Sequence, residues 1–422
     1  FAITQVFQKT SSNFSLNYFE ENEVLRSSIK LLLHPMKTYK SLFVPYNDSF
    51  LSNEIYQKMQ EENLQIDPRF LTIEPNLLCT LNRKEKPTKK PGMLKIKILH
   101  SQRSSRGVVD VVNYLPPDSE IVVYLTGGGF IADLEKPAQF YLRELSIKTG
   151  KPVFIIKYRV APTYKFPIAL NDVINGYLSI LHTFRDRVKS IMFMGESAGA
   201  NLFVGLINYL ILIKSRLPDK VLLIYPALMI SKNIFCPSLL KSYTDITLNF
   251  SFLDQCLRSY LPADNSVPNS IFLSPLLTPK HILERYPPTY IMCGKEDPLY
   301  DNSLIFAHRL FEASVDVKLL SINCLAHGFM GLYFPISEEF NDLSKVIDVI
   351  ETIWKGETIQ EEIDDQTIVE ADESEIDKLN TSSRKKQLSL SEIDVETTNQ
   401  ELVLQSIKSN EDASDKFFAP IL

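Results

Sequence analysis

Gly195-Glu196-Ser197-Ala198-Gly199 matches G-x-S-x-G, the spacing that sets a serine on a sharp turn between a strand and a helix. Flanking glycines remove the clashes that such a turn would create. A helix opening beneath the serine adds free amides and the positive end of its dipole. A serine held this way is a candidate nucleophile for acyl transfer. Gly127-Gly128-Gly129 follows a predicted strand. Its amides, with that of Ala198, can hold the charge developing on a carbonyl oxygen, each donor being worth roughly 2.7–4 kcal/mol; a simple turn is the plain alternative. Gly294-Lys295-Glu296-Asp297-Pro298 and Ala326-His327-Gly328 also follow predicted strands. In this scheme Ser197 attacks, His327 takes and returns its proton, and Asp297 holds the imidazole tautomer. Glu296 and Asp301 compete for the acid role, but Asp297 directly precedes Pro298 at the turn. Glu196 reads as a structural hydrogen-bonding group. His182, His281 and His308 read as surface or packing residues, and His34 and His100 carry no signal.

These residues need a scaffold. Short β-branched runs recur at Leu94–Leu99, Val108–Tyr114, Ile121–Leu125, Val153–Tyr158, Ile191–Met194, Val221–Tyr225, Tyr290–Cys293 and Val317–Ile322. Asp172–Leu181, Asn201–Ile213, Ser303–Glu312 and Asn341–Trp354 between or after them have helical apolar spacing. Alternating strand and helix predicts an α/β fold with a mostly parallel eight-stranded sheet flanked by helices. The first two strands, with no helix between them, are expected to form an antiparallel edge hairpin. Residues 1–90 carry helix-like stretches at Asn22–Leu33 and Ser52–Glu62, interrupted by prolines, and Arg83–Lys90 reads as an exposed linker.

On these residues the chain resembles the hormone-sensitive-lipase group of α/β-hydrolase esterases and lipases, over roughly Leu94 to Leu332. The order Ser197…Asp297…His327 is that of α/β-hydrolases. Tyr158-Arg159-Val160-Ala161-Pro162, Phe166-Pro167 with Asp172, Tyr225-Pro226-Ala227, Ser274-Pro275-Leu276-Leu277 and His327-Gly328-Phe329 add to the likeness. The resemblance implies an oxyanion hole from Gly128, Gly129 and Ala198, and a cap from the N-terminal helices and an insert at about 228–288. It also implies hydrolysis of acylglycerols or other carboxylic esters without a cofactor. A receptor on the same fold, binding a small molecule without turnover, is the alternative. Three departures stand out: Thr126 replaces the family's histidine before the glycines, Ala200 replaces a glycine, and no long regulatory insertion separates the sixth and seventh strands. The expected domains are an N-terminal helical, cap-associated region at 1–90, a catalytic domain at 91–355 and an acidic disordered tail at 356–422.

Charge sharpens the division. The net charge is −6, yet residues 356–422 hold 17 acidic and 6 basic residues, a net of −11, which leaves the first 355 residues at +5. Aromatics almost vanish from this tail, so it cannot bury enough apolar surface to offset its ordering entropy. Arg384-Lys385-Lys386-Gln387-Leu388-Ser389 makes Ser389 a candidate phosphorylation site, against the plain reading of a solvated basic patch. No apolar run approaches the ~20 residues of a membrane-spanning helix, and no dense basic face suits nucleic acid. Cys79, Cys236, Cys256, Cys293 and Cys324 are odd in number and lack a CxxC pair. No disulfide framework or metal site is therefore expected, which suits a reducing, cytoplasmic setting. Lipid-droplet association and a peripheral lipid surface follow by resemblance. The first residue is Phe1, so the chain is expected to continue upstream.

Overall fold

The computed structural model describes residues 39–48, 50–51, 80–81, 93–99, 115–230, 236–262, 270–323, 325–332, 341–357 and 368–370. Their centre is one sheet of ten strands: β1 (Tyr39–Pro45), β2 (Thr80–Leu81), β3 (Met93–Leu99), β4 (Ser119–Leu125), β5 (Val153–Lys157), β6 (Val188–Glu196), β7 (Lys220–Ile224), β8 (Thr289–Gly294), β9 (Val317–Ile322) and β10 (Ile368–Glu370). The spatial order is β10-β9-β8-β7-β6-β4-β5-β3-β1-β2. Pairings from β5 across to β9 are parallel. β3 meets both β1 and β5 antiparallel, and β10 meets β9 antiparallel. Eight of these strands have five or more residues, so the expected eight-stranded, mostly parallel sheet is present with two short strands added at its ends.

Alternation within each strand decides what each face buries. Ile121, Val123 and Leu125 of β4 join one core with Phe193 of β6, under α2 (Ile168–Phe184), α3 (Ala198–Leu212) and α6 (Tyr300–Glu312). Val122 and Tyr124 point the other way, with Met192 and Met194, under α1 (Glu135–Thr149) and α7 (Asn341–Lys355). Helices on both faces explain why the central strands read as near-continuous apolar runs. Trp354, the only tryptophan, is fully buried at the end of α7.

Several expectations need correction. The antiparallel neighbour of β3 at the sheet edge is β1, from within residues 1–90, so part of that region belongs to the sheet and is not helical. This pairing joins strands about 50 residues apart and leaves no local sequence signature. The anticipated partner strand Val108–Tyr114 lies outside the described residues, as do the stretches Asn22–Leu33, Ser52–Glu62 and Arg83–Lys90. α3 opens at Ala198, three residues before the apolar spacing announced it, and α2 opens at Ile168. The insert divides in two. Residues 236–261, with a 3-10 turn at Pro237–Tyr243 and α4 (Phe250–Tyr260), form the covering part. The later half, with Pro275–Leu277 and α5 (Lys280–Leu283), packs back onto α3. There Asn208 donates to the Ile271 carbonyl at 3.0 Å and to the Thr278 hydroxyl at 2.8 Å. Of the acidic tail, Ile368–Glu370 forms β10; apart from Gly356 and Glu357 the rest, including Ser389, lies outside the described residues.

Candidate active site

Ser197 sits between the last residue of β6 and the first of α3 with φ 48° and ψ −115°, a left-handed conformation that an L side chain adopts only under constraint. The constraint is close packing. A Cβ on Gly199 would stand 2.5 Å from the Leu125 carbonyl oxygen and 2.6 Å from that of Thr126, so no larger residue lets α3 start so near β4. The serine amide donates to the Ile224 carbonyl on β7 at 2.9 Å, and its own carbonyl accepts from Asn201 N at 3.1 Å. The serine's backbone is thus held from both sides.

His327 lies in the loop after β9 and Asp297 in the turn after β8. His327 Nε2 is 3.0 Å from Ser197 Oγ, and His327 Nδ1 is 2.8 Å from Asp297 Oδ2. All three residues are buried. Asp297 is itself fixed: its Oδ1 accepts from Leu299 N at 2.7 Å and its carbonyl from Tyr300 N at 3.1 Å. Neither competing acid comes into the array. Glu296 is exposed, 3.5 Å from Lys241, and Asp301 accepts from the amide of Ser238. His182 and His281 are exposed, and His308 pairs with Glu312 at 3.6 Å.

The glycine loop runs beside the serine. Gly128 and Gly129 have φ 117° and 58°, and the Gly128 carbonyl accepts from Ile131 N and Ala132 N at 3.0 and 2.9 Å. No described residue accepts a hydrogen bond from the amides of Gly128, Gly129 or Ala198. At Gly129 a Cβ would meet Cys256 Sγ at 2.3 Å, so only glycine lets α4 seat on this loop. Tyr260, from the same helix, stacks on Phe130 at 4.0 Å. Thr126, in place of the family's histidine, is buried. The loop's brace here comes from Tyr158, whose hydroxyl donates to the Thr126 carbonyl at 2.8 Å. Sequence reasoning missed this role because Tyr158 was read only as part of a motif.

Glu196 turns away from the serine into the opposite core. Tyr124 donates to its Oε1 at 2.7 Å and Tyr225 to its Oε2 at 3.1 Å. Burial pushes its carboxyl up to about 7, against the pull of both tyrosine hydroxyls and His327. The Tyr225 ring also leans on the His327 imidazole, centroids 4.9 Å apart. The structural reading of Glu196 fits these contacts.

In front of Ser197 opens a cleft, continuous with solvent, lined by Phe130, Ile230, Leu248, Leu253, Leu257 and Leu299 among others. Such a wall suits an uncharged acyl chain. Cys236 and Cys256 line it too, and burial pushes their thiols up to about 11 and about 12, which keeps them protonated. Among the described residues no cluster of potential ligands could hold a metal ion, and no helix is long and apolar enough to cross a membrane.

Residues 122–331 match the family model described as the alpha/beta hydrolase fold. Hormone-sensitive lipase of Bos taurus is 32% identical over 152 residues, 35% of this chain and 20% of that protein. Ethyl acetate hydrolase of Pseudomonas putida is 26% identical over 250 residues, 56% of this chain and 76% of that protein. The chain therefore spans about a fifth of the length of that lipase and three quarters of that hydrolase. Among solved structures, carboxyl esterase 2 of Tuber melanosporum superposes with a TM-score of 0.54 at 22% identity, covering 63% of this chain and 83% of that one. A Pyrobaculum calidifontis esterase gives 0.55 at 23%, over 63% and 82%; at these identities the likeness speaks for the fold. Taken with the strand order and the serine turn, the match shows that residues 122–331 have the alpha/beta hydrolase fold, with sequence likeness to hormone-sensitive lipase and to ethyl acetate hydrolase.

Proposed function

We propose that this protein is a serine carboxylic-ester hydrolase that cleaves acylglycerols or related lipid esters through an acyl-enzyme on Ser197. The observation that carries the reading is the chain of contacts Ser197 Oγ–His327 Nε2 at 3.0 Å and His327 Nδ1–Asp297 Oδ2 at 2.8 Å, opening on an apolar cleft. Ser197 Oγ attacks the ester carbonyl as His327 Nε2 takes its proton. The amides of Gly128, Gly129 and Ala198 receive the oxyanion. Collapse expels the alcohol, which takes the proton from His327. Water then attacks the acyl-enzyme by the same route and releases the acid. Asp297 keeps Nδ1 protonated, so that Nε2 is the free base. The scheme calls for no cofactor.

The esterase names of the relatives support the reaction class, and the lipases among them support a lipid ester. The catalytic domain is taken as 91–355 with β1 added. Contact with a lipid surface, and with it lipid metabolism and a cytoplasmic or lipid-droplet setting, draws support from residues 236–250. That segment turns Leu239 and Leu248 into the cleft and leaves Leu240, Tyr243, Ile246 and Phe250 exposed. Co-flotation of the protein with a triacylglycerol emulsion tests it, and a protein that stays in the aqueous phase removes it. No observation favours the receptor alternative.

The deciding experiment is hydrolysis of p-nitrophenyl esters from acetate to long acyl chains, and of diacylglycerol, by the wild type and Ser197→Ala. Wild-type turnover with the variant at background is the expected result. Equal rates for the two sink the proposal.

A further inference from the structure

His327 has two backbone polar groups, and both are held by the cap insert. Asp245 Oδ2 accepts the His327 amide at 3.1 Å. Thr247 Oγ1 lies 2.5 Å from the His327 carbonyl oxygen. These two gripping residues are themselves locked together. Asp245 Oδ1 accepts from Thr247 N at 2.7 Å and Leu248 N at 2.7 Å, and lies 2.9 Å from Thr247 Oγ1. Asp245 is buried. Burial opposes its charge, yet the amides of Leu248, His327 and Thr247 and the Thr247 hydroxyl outweigh that and hold its carboxyl below the usual range.

Among the described residues, backbone bonds flank the histidine on each side, Glu296 N to Leu325 O at 3.2 Å and Gly331 N to Gly328 O at 2.9 Å. Gly328 follows with φ 75°. An imidazole that must stand within hydrogen-bonding reach of both Asp297 and Ser197 tolerates little drift, since a misplacement of about 1 Å costs about a hundredfold.

We propose that Asp245, with Thr247, is a positioning residue for the catalytic base: the cap insert, 82 residues away in sequence, sets where His327 stands. This rests on the ester-hydrolase reading above. Asp245 touches no reacting atom and acts only through the His327 peptide groups.

The discriminating variant is Asp245→Asn. Its side-chain oxygen can keep the three contacts to Thr247 and Leu248. Its amide nitrogen then faces the His327 N–H, donor against donor, so the turn stays and the grip on His327 goes. With p-nitrophenyl acetate, kcat is expected to fall about tenfold to a hundredfold with KM within about twofold. The low-field proton resonance of His327 Nδ1–H, facing Asp297, should shift or broaden. Unchanged kcat and an unchanged resonance overturn the proposal, and so does a loss confined to KM, which marks plain cap packing. If the wild type hydrolyses no ester beyond Ser197→Ala, the ester-hydrolase reading fails, and the proton resonance still decides whether Asp245 positions His327. Should Asp245→Asn lose the buried Trp354 fluorescence of the folded protein, Thr247→Val takes its place. It removes the hydroxyl that meets the His327 carbonyl and also contacts Asp245 Oδ1, and a folded Thr247→Val with wild-type kcat overturns the proposal.

Discussion

Replacing Glu196 by glutamine should change how stability depends on pH more than it changes the fold. Glu196 is buried in the core under α1 and α7, with Tyr124 and Tyr225 donating to its two oxygens. Its carboxyl titrates at about 7 in the folded state against 4.5 for a free glutamate. An unfolded chain gives up this proton near 4.5 while the folded protein keeps it until about 7. Between those values the folded state binds more protons, so stability falls as pH rises and levels off above about 7. Each tenfold difference in proton affinity is worth about 1.4 kcal/mol, so the ionised, buried carboxylate costs roughly 3 kcal/mol at pH 8. Glutamine fills the same space with no charge to bury. Most of the cost falls between pH 5 and pH 8, so the stability of Glu196→Gln relative to wild type should grow by about 2–3 kcal/mol across that range. Urea unfolding at constant ionic strength, followed by the single buried Trp354, gives both curves. Taking the difference cancels the titrating groups that do not interact with Glu196. A difference that stays flat within about 0.5 kcal/mol from pH 5 to pH 8 refutes the assignment of a raised carboxyl to Glu196.

Two further outcomes can be checked. Tyr158→Phe removes the hydroxyl that donates to the Thr126 carbonyl. A hydrogen bond worth about 1 kcal/mol predicts a fall in kcat of about fivefold with KM little changed; a change in KM alone shows that the loop is braced by something else. A chain truncated after Glu357 loses β10 and bares β9, whereas one truncated after Glu370 keeps it. The shorter form should run as larger species on size exclusion while the longer one matches the full chain, and identical profiles dismiss a role for β10.

What could be read from the sequence was mostly local. The serine turn is a contiguous pattern whose steric demands are carried by its own glycines, so Gly195 to Gly199 announces both the turn and the helix that follows. Asp297 could be picked from Glu296 because the adjacent Pro298 fixes the turn. The structure brings Ser197, Asp297 and His327 together as their positions after strands suggested. Contacts between distant segments were not legible. β1 has no neighbouring partner in sequence to pair with, so its register with β3 emerges only in the folded sheet. The pattern Asp245-Ile246-Thr247 is readable as a side-chain-to-backbone turn. Its bond to His327 depends on how the insert folds over the sheet, which no spacing rule gives. Thr126 stands where the family has a histidine, and Tyr158 reaches its carbonyl from β5's end, a contact that no local pattern gives.

The described sheet ends at both sides in very short strands, two residues at β2 and three at β10. A sheet edge with many free amides and carbonyls is a template on which another chain can add, and brief terminal strands are one way to blunt it. β10 covers Leu320 to Ile322, the stretch of β9 from which the chain runs on to His327. Copies that joined edge to edge there would disturb the loop that carries His327. In this view β10 closes the edge of β9 to neighbouring copies in a crowded solution.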